Sequence, residues 1–343
     1  MGRSVAGDRN EQERAYALLE LGDELIHARA LQIAAELRIA DLLASRPRPC
    51  QDLAEHTETD PEALYRMMRL LASHGLFHES GTGVFELTPM GDPLRSDHPA
   101  SVRSVLALTG AVAPLVLGGA HHSLHTGEAT FPQVTGDPIY AHMARHPEQG
   151  RLFDEAMRDL TRLVAPAVLD AYDFTGAPHI IDVGGGSGAL ISAILRREPA
   201  ASGVVFEDPR VANSALDRIR EEGLADRCSA VGGDFFREVP EGGDLYLLKW
   251  VLHNWSDERA TDILRNCRRA MREDSRLLII ESVLPSGDDA HPGKAMDLAM
   301  LVLLGGRERT EEQFGELLVG AGLRLERVVP TRSPHSVVEA SPR

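Results

Sequence analysis

The stretch Asp182-Val183-Gly184-Gly185-Gly186-Ser187-Gly188 decides the fold of this 343-residue chain. It follows a short apolar run at 179–183 and precedes a segment with helical spacing at 189–197. A strand that enters a tight glycine turn and continues into a helix directs backbone N–H groups at a ligand near the positive end of that helix. The stretch therefore predicts a ligand-binding loop at the carboxyl end of a strand.

The alternation of strand and helix continues toward the C-terminus. Its later members are apolar runs of strand length at 203–206, 228–231, 245–248 and 277–280, followed by a strand pair at 323–329 and 336–340. Strands alternating with helices predict an α/β fold with a largely parallel, doubly wound, Rossmann-like sheet that binds ligands at the carboxyl ends of its strands. The change of pattern near 165–178 predicts two domains, 1–165 and 166–343.

The N-terminal half has a helical pattern instead. Apolar residues at helical spacing run from 16 to 43 and form a long face that a second helix or a second subunit must cover. A helix at 62–73 precedes a hairpin pattern within 76–87, and helix, helix, hairpin is the order of a winged helix. Because that helix carries only Arg66 and Arg69 as basic residues, we interpret the module as a dimerisation and substrate-lid domain, not as a DNA-binding one.

Composition narrows the choice of partners. Lys and Arg total 36 against 52 Asp and Glu, and the formal net charge of −16 disfavours nucleic acid and anionic membrane surfaces. The polar start lacks a signal-peptide core, and no apolar run approaches the roughly 20 residues that span a bilayer. The three cysteines are far apart and have no metal-type spacing. We expect a cytoplasmic protein without a metal, and we interpret His121, His122 and His125, in a break at 118–127, as part of a solvated or pocket-lining loop.

The glycine loop alone leaves the ligand open. Gly184-x-Gly186-x-x-Ala189 also fits the permissive dinucleotide fingerprint, and Glu207 stands where an NAD enzyme would bind a ribose. The strand ends that follow separate the alternatives. Asp234-Phe235 suits an adenine amino group and ring, and the segment 248–258 places His253 among aromatic residues at the carboxyl end of a strand.

Six ordered motifs resemble those of the class I small-molecule O-methyltransferases. They read DVGGGSG, VVFEDPRV, GGDFF, LKWVLHNWSDE, IIESVLP and GGRERT, and the resemblance covers nearly the whole chain. This group spans plant caffeate- and isoflavone-type enzymes, acetylserotonin methyltransferase, and bacterial polyketide and antibiotic methyltransferases. The resemblance implies S-adenosylmethionine as the cofactor, a methyltransferase sheet, an N-terminal all-helical winged-helix dimerisation domain, a homodimer and a small aromatic acceptor.

Carried over by position, the resemblance also implies the site residues. Those expected at the cofactor are Asp182, Gly184, Gly186, Glu207, Asp234, Phe235, Lys249 and Thr161. Those expected at the acceptor are Phe153, Met157, Trp250, Asn254, Asp297 and Met300. His253 matches the family's general base, and Glu281 and Glu308 match the two acids that flank and orient it.

A histidine suits that role physically. The sulfonium is already a strong electrophile, so the protein's main task is to position the acceptor in line with the methyl group. A phenol with a pKa near 10 must still lose its proton as its oxygen attacks, and an imidazole with an ordinary pKa of about 6.5 can take it. The sequence therefore predicts methyl transfer to a phenolic hydroxyl of an aromatic or polyketide-type secondary metabolite.

Two departures and several alternatives accompany this prediction. Asn254 stands where many relatives have Asp, so we do not count it as catalytic, and Leu303-Leu304 predict a more apolar acceptor pocket than in some plant enzymes. On the same scaffold, hydroxylation, decarboxylation, a pericyclic step or N-methylation stay open. From other classes, a DNA-binding regulator and an NAD dehydrogenase are the alternatives.

Overall fold

The structure, a computed structural model, describes residues 10–343. The start of the chain, on which the argument against a signal peptide rests in part, lies outside the described residues at 1–9. The chain divides into two compact units: 10–114 with Glu148–Leu160, and Leu115–Pro147 with Thr161–Arg343. The sequence instead predicts a single boundary between 165 and 166. The main difference is the segment Leu115–Pro147, which belongs to the C-terminal unit.

The first unit is helical apart from a small antiparallel sheet. Its elements are α1 (Glu11–Glu36), α2 (Ile39–Leu43), β1 (Arg48–Pro49), α3 (Cys50–Thr57), α4 (Pro61–Ser73), β2 (Phe77–Gly81), β3 (Val84–Leu87) and most of α5 (Arg103–Leu117). The predicted hairpin is confirmed as β2 and β3, and β1 adds a third strand in the order β1-β3-β2. The helix predicted over 16–43 instead ends at Glu36, because Arg38 takes a left-handed backbone with φ of 55° before α2 begins.

Helix α1 leaves a large apolar face uncovered within one chain. Leu18, Leu21, Leu25 and Ile26 are each more than 60% exposed. Toward its C-terminal end the helix buries Ala30 and Ala34 in the core of the same unit, with Leu53, Met68 and Phe85 among the residues around them. Several large apolar side chains exposed together on one helix indicate an interaction surface.

The segment that follows α5 consists of helices, and one of them occupies most of the break predicted at 118–127. Its elements are α6 (Ala120–Thr126), α7 (Thr130–Thr135), α8 (Ile139–Arg145) and α9 (Pro147–Ala171). The loop predicted at 118–127 is therefore wrong: it is helix α6, which ends where Gly127 takes a φ of 74°. His121 and His125 are exposed on it, and no described group of three or more His, Cys, Asp or Glu residues could hold a metal ion.

The second unit is built on a seven-stranded mixed sheet. Its strands are β4 (His179–Val183), β5 (Ser202–Glu207), β6 (Cys228–Gly232), β7 (Leu245–Lys249), β8 (Arg276–Glu281), β11 (Leu323–Pro330) and β12 (Ser336–Pro342), and a separate two-stranded pair consists of β9 (Val283–Leu284) and β10 (Arg309–Thr310). The connecting helices are α10 (Ala189–Arg197), α11 (Pro209–Glu221), α12 (Asp257–Ala270), α13 (Pro292–Leu304) and α14 (Glu311–Gly320). The order is β11-β12-β8-β7-β4-β5-β6, with β4 to β8 parallel and the last two strands antiparallel. This confirms the doubly wound sheet predicted from the alternation.

Each face of this sheet carries its own apolar core. On one face, Ile181, Leu248 and Ile279 pack with α12 and α14, and on the other, Ile180 and Leu247 pack with α9, α10 and α11. Among the described helices no single one is long and apolar enough to cross a bilayer, although the bent pair α5 and α6 would pass on length and composition together. The parallel strands end at one edge of the sheet, and the predicted site residues follow those ends.

Candidate active site

The glycine loop is tied to the end of the neighbouring strand. Gly186 N–H donates to Glu207 Oε2 at 3.0 Å, and Asp208 N–H donates to Glu207 Oε1 at 2.8 Å. Gly184 and Gly186 both have positive φ, and a Cβ on Gly184 would lie 2.7 Å from a Val251 methyl. Only glycine fits this turn, so the loop can approach a ligand closely with its backbone.

Asp182 is a buried carboxylate at the end of β4. It is 1% exposed, and neither of its oxygens has a hydrogen-bond partner among residues 10–343. Burial raises the pKa of Asp182, the charge of Lys249 opposes that rise, and Glu207 adds to it. An unpaired buried carboxylate is costly, so this position calls for a cationic or N–H donor supplied by a ligand.

Asp234 and Phe235 form the third part of the predicted cofactor site. Asp234 Oδ1 accepts from Phe236 N–H at 2.9 Å, and Asn266 Nδ2 donates to the Phe235 carbonyl at 2.8 Å. The Phe235 ring meets the Trp255 ring edge-on, with 6.4 Å between centroids. The strand end thus presents a carboxylate beside aromatic rings, a set that suits a purine.

His253 lies on a 3₁₀ turn, Leu252–Asn254, that follows β7. Its Nδ1 is 2.8 Å from Glu308 Oε1, and its backbone N–H donates to Glu281 Oε1 at 3.1 Å. Both glutamates are almost completely buried, and His253 itself is 9% exposed. Across the described chain no hydrogen bond occupies its second ring nitrogen, Nε2.

The electrostatics of this trio favour a charged imidazole. Burial lowers the pKa of His253, but the Glu308 hydrogen bond and the charges of Glu281 and Glu308 outweigh it, so the net pKa is raised. Burial raises the pKa of Glu281, and Glu308 adds to that effect while the charge of His253 opposes it. The arrangement fixes the Nδ1–H tautomer of a neutral ring and stabilises a proton that arrives at Nε2.

Long-range pairing brings the two glutamates to the histidine. The parallel pairing of β9 with β10 sets Arg309 opposite Val283, which carries Glu308 alongside the end of β8 and Glu281. Gly306 packs against the His253 carbonyl so closely that any Cβ would clash with it, and Arg307 N–H donates to the same carbonyl at 2.9 Å. The segment 305–310 therefore wraps around the histidine turn.

Arg309 stabilises the turn that carries His253, a role that the sequence motifs did not predict. Its guanidinium is fully buried and donates to the carbonyls of Leu252 and Trp255 at 3.0 and 2.9 Å. It also binds the Asp257 carboxylate at 2.9 Å. The signal available in the sequence was its position directly after Glu308 in the last motif.

Four of the remaining predicted residues contact one another or the main chain near His253. Lys249 Nζ lies 3.6 Å from the centroid of the Trp250 ring, so these two residues meet each other. Asn254 Nδ2 donates to the Trp250 carbonyl at 3.0 Å, and Asp297 Oδ1 accepts from Glu308 N–H at 2.8 Å. Both polar side chains thus make hydrogen bonds to main-chain atoms of the protein itself.

Four further predicted residues lie on helices. Met300 is buried on α13, and Thr161 is buried on the part of α9 that belongs to the second unit. Phe153 and Met157 lie on the part of α9 that belongs to the first unit. All four keep their acceptor or cofactor roles as predictions.

Comparison with known proteins identifies the family. A model described as an O-methyltransferase domain matches residues 119–324, and one described as an O-methyltransferase dimerisation domain matches 19–97. The chain is 46% identical over 313 residues to the phenazine O-methyltransferase PhzM of Lysobacter antibioticus, and the match covers 91% of this chain and 92% of that protein.

Solved structures agree with these matches. The crystal structure of LaPhzM has a TM-score of 0.92 at 45% identity and covers 96% of this chain and 99% of its own. CalO1, a methyltransferase in calicheamicin biosynthesis, has been solved in its SAH-bound form and has a TM-score of 0.86 at 36% identity, covering 98% of this chain and all of its own. Together with the glycine loop, Asp182 and Glu207, these matches mean that the chain belongs to the O-methyltransferase family and is an S-adenosylmethionine-dependent O-methyltransferase.

Proposed function

We propose that this enzyme methylates a phenolic hydroxyl of an aromatic, phenazine- or polyketide-type metabolite in the cytoplasm, with His253 as the general base. The observation that carries the proposal is the 2.8 Å contact between His253 Nδ1 and Glu308, which leaves Nε2 as the nitrogen that can take a proton. The 46% identity to a phenazine O-methyltransferase supports a planar aromatic acceptor.

The cofactor site follows the residues already described. We assign the methionine amino group to the unpartnered oxygens of Asp182, the ribose hydroxyls to Glu207, and the adenine to Asp234 and Phe235. Glu207 already accepts two backbone N–H groups, so its carboxylate is oriented before a ligand arrives. When bound, the cofactor supplies a methyl group that its sulfonium makes electrophilic.

The protein's own residues move one proton and align one oxygen. As the acceptor oxygen forms its bond to the methyl carbon, the carbon–sulfur bond breaks and its electron pair stays on sulfur. The phenolic proton passes to His253 Nε2, and Glu308 at Nδ1 stabilises the imidazolium that results. Because the pair is almost completely buried, its interaction is screened less than one at the surface.

The non-methylating reactions and N-methylation are not favoured. A nitrogen acceptor has less need of a proton acceptor, and reactions that keep the methyl on sulfur do not need a base opposite the acceptor hydroxyl. Both buried glutamates favour the protonated form of His253, which is the form that a general base reaches when it takes the acceptor's proton. This reasoning supports O-methylation.

The proposal is tested by product analysis. We expect transfer of labelled methyl from S-adenosylmethionine to 1-hydroxyphenazine, with equal amounts of methyl ether and S-adenosylhomocysteine by mass spectrometry. A methylated nitrogen, or a changed acceptor with unchanged cofactor, would overturn it. Omitting the enzyme provides the background rate.

We also propose that α1 forms a homodimer through its exposed apolar face. The dimerisation-domain match at 19–97 includes Leu21, Leu25 and Ile26 on that face. Burying such side chains contributes roughly 1.5–3 kcal/mol each, which is enough to drive association when several act together.

The double variant L21D/L25D should therefore convert the dimer into a folded monomer. Light scattering after size exclusion should give twice the chain mass of 37.3 kDa for the native protein and one chain mass for the variant. Leu124→Asp, on α6, changes an equally exposed leucine and should stay dimeric. A native monomer, or a variant that remains dimeric, would show that α1 is not the interface.

A further inference from the structure

Trp250 has a strained backbone at the point where the chain leaves the sheet. It directly follows β7 and has a φ of 56°, in the left-handed region that bulky residues rarely adopt. Strain of this kind persists only where the surrounding structure holds it, and it is concentrated at functional sites. The contacts that hold Trp250 therefore bear on how the active site is built.

The hydrogen bonds to β8 show that the chain bends at this residue. Trp250 N–H donates to the Ile280 carbonyl at 3.2 Å and so extends the pairing of β7 with β8. Three residues later, His253 N–H donates to Glu281 Oε1 at 3.1 Å. Because Ile280 and Glu281 are consecutive, the chain turns between Trp250 and His253 instead of continuing the strand.

The indole ring of Trp250 is held from several directions. It packs against the apolar core on one face of the sheet, and Lys249 Nζ lies 3.6 Å from the centroid of the ring. The ring of His335, between β11 and β12, lies 5.1 Å away between centroids. Since these contacts fix the side chain, any relief of the strain would have to come from the backbone that leads to His253.

The side chain of Asn254 binds the strained residue directly. Its Nδ2 donates to the Trp250 carbonyl at 3.0 Å, and its backbone N–H donates to the Val251 carbonyl at 3.2 Å. The first of these bonds fixes the orientation of the peptide that follows Trp250. Together they close the turn from Trp250 to Asn254, and His253 lies within it.

The peptide held by Asn254 connects the glycine loop with the histidine. Val251, which follows it, packs so closely on the loop that a Cβ on Gly184 would lie 2.7 Å from a Val251 methyl. Two residues later, His253 Nδ1 lies 2.8 Å from Glu308 Oε1. A rotation of the peptide between Trp250 and Val251 would therefore move His253 relative to the glycine loop.

We propose that Asn254 is a positioning residue for methyl transfer, because its side-chain amide holds the left-handed backbone of Trp250 and thereby keeps His253 in place. Asn254 acts through the Trp250 carbonyl, whereas the family resemblance implied a place at the acceptor. An aspartate, which many relatives have here, lacks the N–H that makes this bond. This proposal rests on the proposed function, since it takes His253 as the general base.

Two substitutions remove the donor to the Trp250 carbonyl. Asn254→Asp keeps the shape of the side chain, and Asn254→Ala removes both of its polar atoms. Each should lower kcat with 1-hydroxyphenazine at saturating cofactor by at least about ten-fold, because a misplacement of about 1 Å costs up to roughly 10²-fold. Asn213→Ala, at an exposed position of α11, is the control and should keep the native kcat. A native kcat in Asn254→Asp would overturn the proposal.

A second background separates positioning from contact with the acceptor. Glycine adopts left-handed backbone without strain, so Trp250→Gly removes the need for the Asn254 bond. Adding Asn254→Ala to Trp250→Gly should therefore change kcat less than about two-fold, compared with the ten-fold loss expected in the native background. The same loss in both backgrounds would show that Asn254 acts on the acceptor and would overturn the proposal.

Urea denaturation of the same four proteins decides the question even where Trp250→Gly has too little activity to measure. Asn254→Ala should lower the folding equilibrium constant about five-fold in the native background, the effect of one hydrogen bond, and less than about two-fold in Trp250→Gly. Equal losses would overturn the proposal. Coupled stability with a native kcat in Asn254→Ala would show that the amide supports only the fold, and would overturn it as well. A fully active His253→Ala would instead count against the proposed function and would leave the coupling of Asn254 to Trp250 intact.

Discussion

His253→Ala should lower kcat by roughly 10²–10⁴-fold, the usual contribution of a general base. The affinity for S-adenosylmethionine should stay within two-fold of the native value, because the residues proposed to bind the cofactor, Asp182, Glu207 and Asp234, lie at the ends of other strands. Rates are to be measured with 1-hydroxyphenazine at saturating cofactor, with cofactor affinity from calorimetry. Full activity in the variant would remove His253 from the chemistry.

The loss is expected to be large because two buried glutamates act on this one residue. Glu308 meets Nδ1 at 2.8 Å, and Glu281 holds the backbone N–H of the same residue. Glu308→Gln keeps an oxygen that can accept from Nδ1 but removes the charge, so its kcat should fall less than that of His253→Ala. His78→Ala, at an exposed site, is the matched control and should be silent.

Arg309→Met should be the most destabilising substitution near the site, by about 2–5 kcal/mol in the free energy of unfolding. The methionine fills similar volume but leaves the carbonyls of Leu252 and Trp255 without their buried donor. Urea denaturation measures the change. The kcat of the folded variant should also fall, because the turn that presents His253 loses its internal support.

Arg307→Met is the control for that prediction. Arg307 binds the same carboxylate, Asp257, at 3.0 Å, but both side chains are about half exposed. An exposed ion pair contributes about 0–1 kcal/mol, so this variant should be nearly as stable as the native protein. Equal destabilisation by the two substitutions would show that burial of Arg309 is not what matters.

The sheet could be predicted from the sequence because its signals are local. Each parallel strand is a short apolar run, and the glycine loop marks the first strand end, so β4 to β8 were found within one or two residues of their bounds. The helix α6 was missed because His121 and His122 lie between glycines, which usually mark a loop. The helical conformation of that segment therefore depends on tertiary packing, which local sequence signals do not show.

The site could be predicted only in part, because its geometry depends on long-range pairing. Glu308 is 55 residues from His253, and spacing alone could not bring them together; the family resemblance did. For Asp297 the family resemblance predicted a place at the acceptor. In the structure its carboxylate accepts a hydrogen bond from the Glu308 N–H. Arg309 was missed because it acts through a turn, whose carbonyls at Leu252 and Trp255 are far from it in the sequence.

The pH dependence of kcat/KM shows most directly whether His253 takes the acceptor's proton under the control of Glu308. Only the neutral ring can accept, and its pKa is raised, so the native rate should rise through a pKa above the ordinary value of about 6.5. In Glu308→Gln the pKa of His253 loses the raising effect of the Glu308 charge and falls below its native value, so the rise should move to lower pH while the maximal rate falls. In His253→Ala this step should vanish. An ascending limb at the same pH in all three proteins would refute the role of His253 as the base.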